Sequence, residues 1–294
     1  MSRVLLAACL TALLVGAPAC GGGSAAPTRT RPRADRFDAP AAFELIRRQV
    51  AIGQRPAGSA PLRRLAERLR RALPRGRFEP IPGAPRLRNV VGVVAGRRPA
   101  LVIGAHYDTL VKPRGFVGAN NGAAGTAIVV QLAREAARRR RPPGAPELRF
   151  VLFDGEEPAA GLPEESTDFY HAGLRGSRAY VAAHPGEVGA MVLLDYVAGR
   201  NLRLPKEISS DPGLWAQVRR AAGSAGVARV FPDVSDLEIT DDHTPFERAG
   251  IPAVDLIDWR YPGHALEDGL DKLSVRSVDA VGETITRLIA TRVR

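Results

Sequence analysis

The feature that most constrains this chain is a series of apolar runs rich in β-branched residues: "NVVGVVAG", "ALVIGAHYD", "LRFVLFD", "AMVLLDYV" and "AVDLIDW". Each is apolar throughout rather than alternating, and strands of that kind must be covered on both faces. Between them lie segments with helical spacing of apolar residues, at 123–139, 174–184 and 214–222, and a last one follows at 275–293. Strands alternating with helices predict an α/β fold with a mostly parallel central sheet and helices on both faces. Two more helices are expected upstream, near 41–52 and 61–73, the second with Leu62, Leu65, Leu69 and Leu73 at helical spacing. At 294 residues the chain suits one large α/β domain, and no internal repeat or second boundary divides it.

Polar residues fall where these runs stop. "ALVIGA" ends in His106 and Asp108, "LRFVLF" in Asp154, Glu156 and Glu157, "AMVLL" in Asp195, and "AVDLI" in Asp258 shortly before His264. Ligands of an open parallel sheet bind beyond the carboxyl ends of its strands, so these ends would gather two histidines and several carboxylates in one crevice. Carboxylates converging there repel one another unless a dication or a proton lies between them. Histidine nitrogen with carboxylate oxygen is the donor set of catalytic zinc. Taken singly, "HYD" suits a surface loop, "EE" a solvated turn and Asp195 a cap. Their joint placement at successive strand ends is what points to a metal site, one glutamate binding the ion and its neighbour handling protons.

The amino-terminal twenty residues read as a secretory signal: Arg3, a short apolar run from Val4 to Gly16, then "APAC". Cys20 followed by "GGGSAAPTRTRPR" fits the acylation site and tether of a lipoprotein, although Pro18 is atypical there and "APA" would also suit ordinary signal peptidase. Export is expected either way, with residues 1–20 as signal, 21–37 as a disordered linker and 38–294 as the catalytic domain. Cys9 leaves with the signal, so the mature chain has no internal disulfide and thiol chemistry is a poor fit. The net charge of +11 comes almost wholly from arginine. Its clusters would suit an anionic lipid surface, yet most lie in helix-like segments as solvated faces, and no nucleic-acid motif accompanies them. Nucleic acid is therefore not an expected partner; a membrane surface, reached through the lipid anchor, is. The oligomeric state is left open, a monomer being favoured.

The ordered motifs "GAHYDT", "VGANNGAAGTA", "VLFDGEEP", "LRGSRAY", "LLDYV", "DDHTPF" and "GH" resemble the zinc-dependent aminopeptidase superfamily. Within it the chain is most similar to the glutaminyl-peptide cyclotransferases, from about residue 89 to residue 283, through "FDGEE", the long segment before "GSR", and "DDHTPF". The resemblance implies Glu156 as general acid/base, Glu157 and His264 as zinc ligands, and Asp195 and Asp242 in a carboxylate network with Glu156. In two-zinc relatives His106 and Asp195 would hold the second ion, with Asp108 orienting His106. One zinc is expected for a cyclotransferase and two for an aminopeptidase, the main rival, and either resemblance implies peptide or protein amino termini as substrate.

Two positions depart from the family pattern. Asn121 stands where a metal-binding aspartate is usual, which leaves three outcomes open: weak coordination through the amide oxygen, a poor enzyme or mere binding lipoprotein, or deamidation at the "NG" step. Gly263 precedes His264 where cyclotransferases usually carry an aromatic. Elsewhere, Trp215 and Trp259 read as core or pocket residues, Trp259 being the better pocket candidate because it follows a strand end. His171 and His184 read as solvated, the place of His243 beside Asp242 is left open with the site wall as one option, and Asp271 and Ser274 are plausible caps for the last helix.

Overall fold

A computed structural model of the protein describes residues 36–159 and 168–292. The expected signal, Cys20 and nearly all of the tether lie outside the described residues. Where the description begins, Arg36 pairs with Glu283 and Phe37 is buried in the core. A Cβ added at Gly282 would lie 2.1 Å from the Phe37 ring, so that glycine makes the socket for it. Residues 36 and 37 thus belong to the folded body rather than to a linker, because an aromatic with a fitted pocket gains more from burial than from solvation.

Asp38 accepts from the Ala41 amide to cap α1 (Ala39–Val50), and Ser59 accepts from Leu62 to cap α2 (Ala60–Ala72). Then come β1 (Arg77–Pro80), β2 (Arg88–Val94) and β3 (Arg97–His106), followed by α3 (Ala123–Arg138) and β4 (Pro146–Phe153). The short α4 (Phe169–Ala172) leads to α5 (Arg175–Ala183), β5 (Val188–Asp195) and α6 (Pro212–Ser224). The chain ends with α7 (Thr244–Arg248), β6 (Ala253–Ile257) and α8 (Val275–Thr291). Ser274 caps α8 through the Arg276 amide, whereas Asp271 lies in a separate 3-10 turn.

The sheet has the order β1-β2-β4-β3-β5-β6. β4, β3, β5 and β6 are mutually parallel, while β1 and β2 run against them. Only Ala95 and Gly96 separate β2 from β3. Parallel strands need a crossover of about a dozen residues, so β2 must reverse. Alternate residues serve opposite faces. Ile103, Phe150 and Val192 meet the core beneath α1, α3, α6 and α8. Val102, Val151 and Leu193 pack with Tyr180 of α5 and Phe246 of α7 on the other side. The expected two-sided cover is therefore present. Gly125 lets α3 press onto the end of β5, where a Cβ would stand 2.1 Å from the Leu194 carbonyl. That contact brings the loop before α3 over the carboxyl edge of the sheet.

Candidate active site

A cavity of about 580 Å³ opens beyond that edge. β3 delivers His106 and Asp108, β5 ends on Asp195, and the turn after β4 carries Glu156 and Glu157. Asn121 comes from the loop before α3, and His264 from the loop after β6. Asn121, Glu156, Asp195, Asp241 and His264 form one wall. Trp259, Phe169, Leu237 and Ile239 supply an apolar side.

The paired glutamates are held by backbone contacts that suit an acid turn. Asp108 accepts from the amides of Glu156 and Glu157, both at 3.3 Å, and the Glu156 carbonyl accepts from the Leu174 amide at 3.0 Å. Arg175 Nη2 donates to the Glu157 carbonyl at 2.7 Å. Asp108 therefore fixes the turn more firmly than it orients His106, whose Nδ1 is 3.6 Å away. The Asn121 loop is fixed as tightly. Asp268 accepts from the amides of Asn120 and Asn121 at 2.8 and 3.0 Å and from the Tyr261 hydroxyl at 2.6 Å. The fully buried Arg55 guanidinium donates to the Gly118 carbonyl at 3.0 Å. Neither Asp268 nor Arg55 stood out in sequence, since a lone Asp or Arg carries no local signal of burial.

His106 sits at the centre of the acids. Its Nδ1 is 3.5 Å from Glu156 Oε2 and its Nε2 3.5 Å from Asp195 Oδ1, and neither nitrogen makes a hydrogen bond. Burial disfavours its charge, yet Glu156, Asp108 and Asp195 hold its pKa well above the ordinary value. The carboxyls are pushed the other way. Burial, then Glu157, drives Glu156 well up; burial raises Glu157 to about 7 and Asp241 to about 6. His264 lies near enough for its charge to oppose the rise at Glu157. Donor atoms of His106, Glu156 and Glu157 fall within 4.8 Å of one another. Crowded acids, an orphaned imidazole and carboxylate oxygens fit a dication such as zinc. Asn121 fits less well: its Nδ2 donates to Glu157 Oε1 at 2.8 Å, so the amide occupies an oxygen that an ion would use.

The remaining expected residues divide. Asp242 is fully buried behind the wall, accepting from the Ser177 hydroxyl at 2.5 Å, so the doublet's cavity-facing member is Asp241. Only a tertiary neighbour such as Ser177 separates the two. His243 is also behind the wall rather than lining it, with Nε2 3.2 Å from the Ser209 hydroxyl. It forms a second cluster with Glu207 and Glu247. Glu207 there accepts from the amides of Ser209, Ser210 and Ile239 and from both serine hydroxyls, which spends its lone pairs on hydrogen bonds. Asp258 turns to the Arg203 amide and Arg260, away from the cavity. His171 is exposed beside Asp168. His184, by contrast, is not solvated: its nitrogens lie 3.0 Å from Glu79 and Glu187, within an ion network around Arg149. Trp215 packs in the core on Phe231, and Trp259 stands half-exposed at the cavity mouth.

Tyr196 was not singled out in the sequence. It follows Asp195 with φ +48°, lines the cavity, and packs edge-on against His264 with ring centres 5.8 Å apart. Burial, then Asp195, Glu157 and Glu156, keeps its phenol from ionising by raising its pKa well above the usual value.

The fold and site define a class, a three-layer α/β scaffold whose strand ends gather histidine and carboxylate donors around a peptide-sized cavity. The chain belongs to Peptidase family M28, whose family model matches residues 89–289. The glutaminyl-peptide cyclotransferase of Bothrops jararaca is 26% identical over 219 residues, covering 63% of this chain and 60% of that protein. The chain thus spans about 60% of the length of this curated relative. Among solved structures, Porphyromonas gingivalis glutaminyl cyclase superposes with a TM-score of 0.74 at 26% identity, covering 87% of this chain and 99% of that one. A leucine aminopeptidase precursor from Bacteroides thetaiotaomicron gives a TM-score of 0.75 at 25% identity, covering 86% and 97%. The family resemblance read from the motifs is borne out, and the relatives are enzymes of the two kinds weighed against each other.

Proposed function

We propose that this protein is a zinc-dependent glutaminyl-peptide cyclotransferase, converting amino-terminal glutamine of peptides to pyroglutamate with release of ammonia. Asn121 is the observation that favours cyclisation over hydrolysis. A neutral amide there leaves one anion fewer to balance a pair of dications, which weakens a two-metal site more than a one-metal site. Glu157, His264 and the Asn121 oxygen, once its amide turns, are the residues to hold one ion. Such an ion would supply a Lewis acid for the γ-carboxamide carbonyl.

The protein's own groups do the rest. The apolar side of the cavity receives the glutamine stem, and acids at the wall attract the amino terminus. The substrate's α-amine attacks its own γ-carbon, so a carbon–nitrogen bond forms within one residue and no protein nucleophile is required. Glu156 takes the proton lost by the amine and returns it to the departing nitrogen as the carboxamide bond breaks and ammonia leaves. A carboxyl raised by burial and by Glu157 suits both transfers. Asp195 and Asp241 flank Glu156 in this reading.

The test is to incubate the zinc-loaded protein with a Gln-initiated peptide and with the same peptide acetylated at its amine, following ammonia and product mass. Ammonia from the free peptide alone is expected; release of free amino acids would overturn cyclisation. Hydrolysis is the second reading, supported by His106 and Asp195, which lie 3.5 Å apart and offer donors for a second ion. Two zinc ions per chain would favour it, and no zinc uptake would favour a binding protein instead. Export with acylation at Cys20 completes the proposal, and labelling with a radioactive fatty acid in Cys20→Ala against the parent chain checks it.

A further inference from the structure

Gly263 and Tyr196 are fitted to each other. A Cβ built on Gly263 would stand 2.2 Å from Tyr196 Cζ and 2.5 Å from its hydroxyl oxygen, so the phenol occupies the space that any side chain at 263 would take. Tyr196 reaches that place by a backbone few non-glycine residues adopt: its φ is +48°, directly after the last residue of β5. Left-handed conformations of this kind are strained and persist where surrounding structure enforces them. Here the enforcement is visible. The ring packs at a tilt against Tyr261 and Trp259, with ring centres 5.9 and 6.2 Å away, and edge-to-face against His264.

The hydroxyl so positioned makes no hydrogen bond among the described residues, while the side chain lines the same cavity as Glu156 and His264. That wall is rich in acceptors (Glu156, Asp195 and Asp241). A carbonyl under attack needs the opposite, a donor for the negative charge that develops on its oxygen. We propose that Tyr196 is a catalytic residue whose phenolic O–H, seated over Gly263, donates to the oxygen of the substrate carbonyl as that carbon becomes tetrahedral. The phenol gives a hydrogen bond and keeps its proton, so proton transfer stays with Glu156. This rests on the proposed function only in the choice of carbonyl: a side-chain carboxamide for cyclisation, a peptide carbonyl for hydrolysis.

Tyr196→Phe removes the donor and keeps the ring. Loss of one such donor lowers kcat by about 100-fold or more. Ground-state binding should not change, because the bond strengthens only as charge develops. The experiment measures kcat on a Gln-initiated peptide and on leucine p-nitroanilide, together with calorimetric affinity for the N-acetylated Gln peptide. A fall in kcat with unchanged affinity supports the donor. Unchanged kcat, or affinity falling in step with kcat, overturns it. Gly263→Ala should reproduce the kcat loss with the hydroxyl still present, since its methyl must displace the ring. Parent protein that hydrolyses the anilide but does not cyclise removes the proposed function and leaves this donor to be read on the anilide. Parent protein inactive on both removes the two together.

Discussion

Asn121 and Glu156 are where single atoms decide between readings. Glu156 is the proton carrier of the proposed reaction, and glutamine in its place keeps the shape while removing the titrating group. Glu156→Gln should reduce turnover at least the roughly 100- to 10,000-fold attributed to general acid–base catalysis, with zinc content by mass spectrometry unchanged. Retained activity would take Glu156 out of that role. Asn121→Asp tests the charge count. The aspartate would trade a hydrogen bond to Glu157, now 2.8 Å, for repulsion against it. Without metal the variant should therefore melt lower than the parent, and with zinc it should hold the ion more tightly. The gain should be no smaller than the roughly 10- to 100-fold that outer-shell partners provide. Competition against a chromogenic chelator measures it, and equal affinities would show that residue 121 does not touch the ion.

At the scale of elements, β4 shows what a sequence pattern can and cannot carry. Its apolar run, its parallel place beside β3 and the acidic turn that follows were legible, because burial on both faces demands such a run and ligands gather at its end. Arg149 in its middle was not read as special. It is buried, with Nε 2.7 Å from Glu147 and Nη2 2.6 Å from Glu187. No spacing rule announces an ion network assembled from β1, β4 and α5's far end. The same limit hid Tyr196 behind Gly263, since that fit depends on a neighbour remote in sequence. Arg149→Met should strand those acids and cost about 3 kcal/mol, the low end for breaking a buried pair because Glu187 is partly exposed. That corresponds to a fall of roughly 10 °C in Tm by calorimetry. Hydrogen bonds from Arg149 and then His184 hold the Glu187 pKa down at about 2. A depressed carboxyl contributes stability above its unfolded value of about 4.3 and loses it as pH falls toward 2. The acid limb of the Tm profile should accordingly flatten in Arg149→Met; an unchanged limb would place that stability elsewhere.

For the molecule as a whole, the acids at the carboxyl edge set how stability follows pH. Burial raises Glu157 to about 7 and Asp241 to about 6, so between about pH 4 and those values the folded chain binds more protons than the unfolded one. Stability must then fall as pH rises through that window. His106, held well above its ordinary pKa by nearby acids, adds stability below its unfolded value and loses it as pH climbs through the folded one, which is the same sign. Metal reverses the balance, because a bound dication compensates the charge that ionisation creates and needs Glu157 deprotonated. Chelator-treated protein should thus lose Tm steadily from pH 5 to 8, while zinc-loaded protein loses little. The gap between them should widen with pH, following the linkage of ligand affinity to folding. Melting curves at unit pH steps, with zinc and with chelator, provide the measurement. Parallel profiles would mean that these carboxyls are not what an ion neutralises, and the metal would have to be sought away from Glu157.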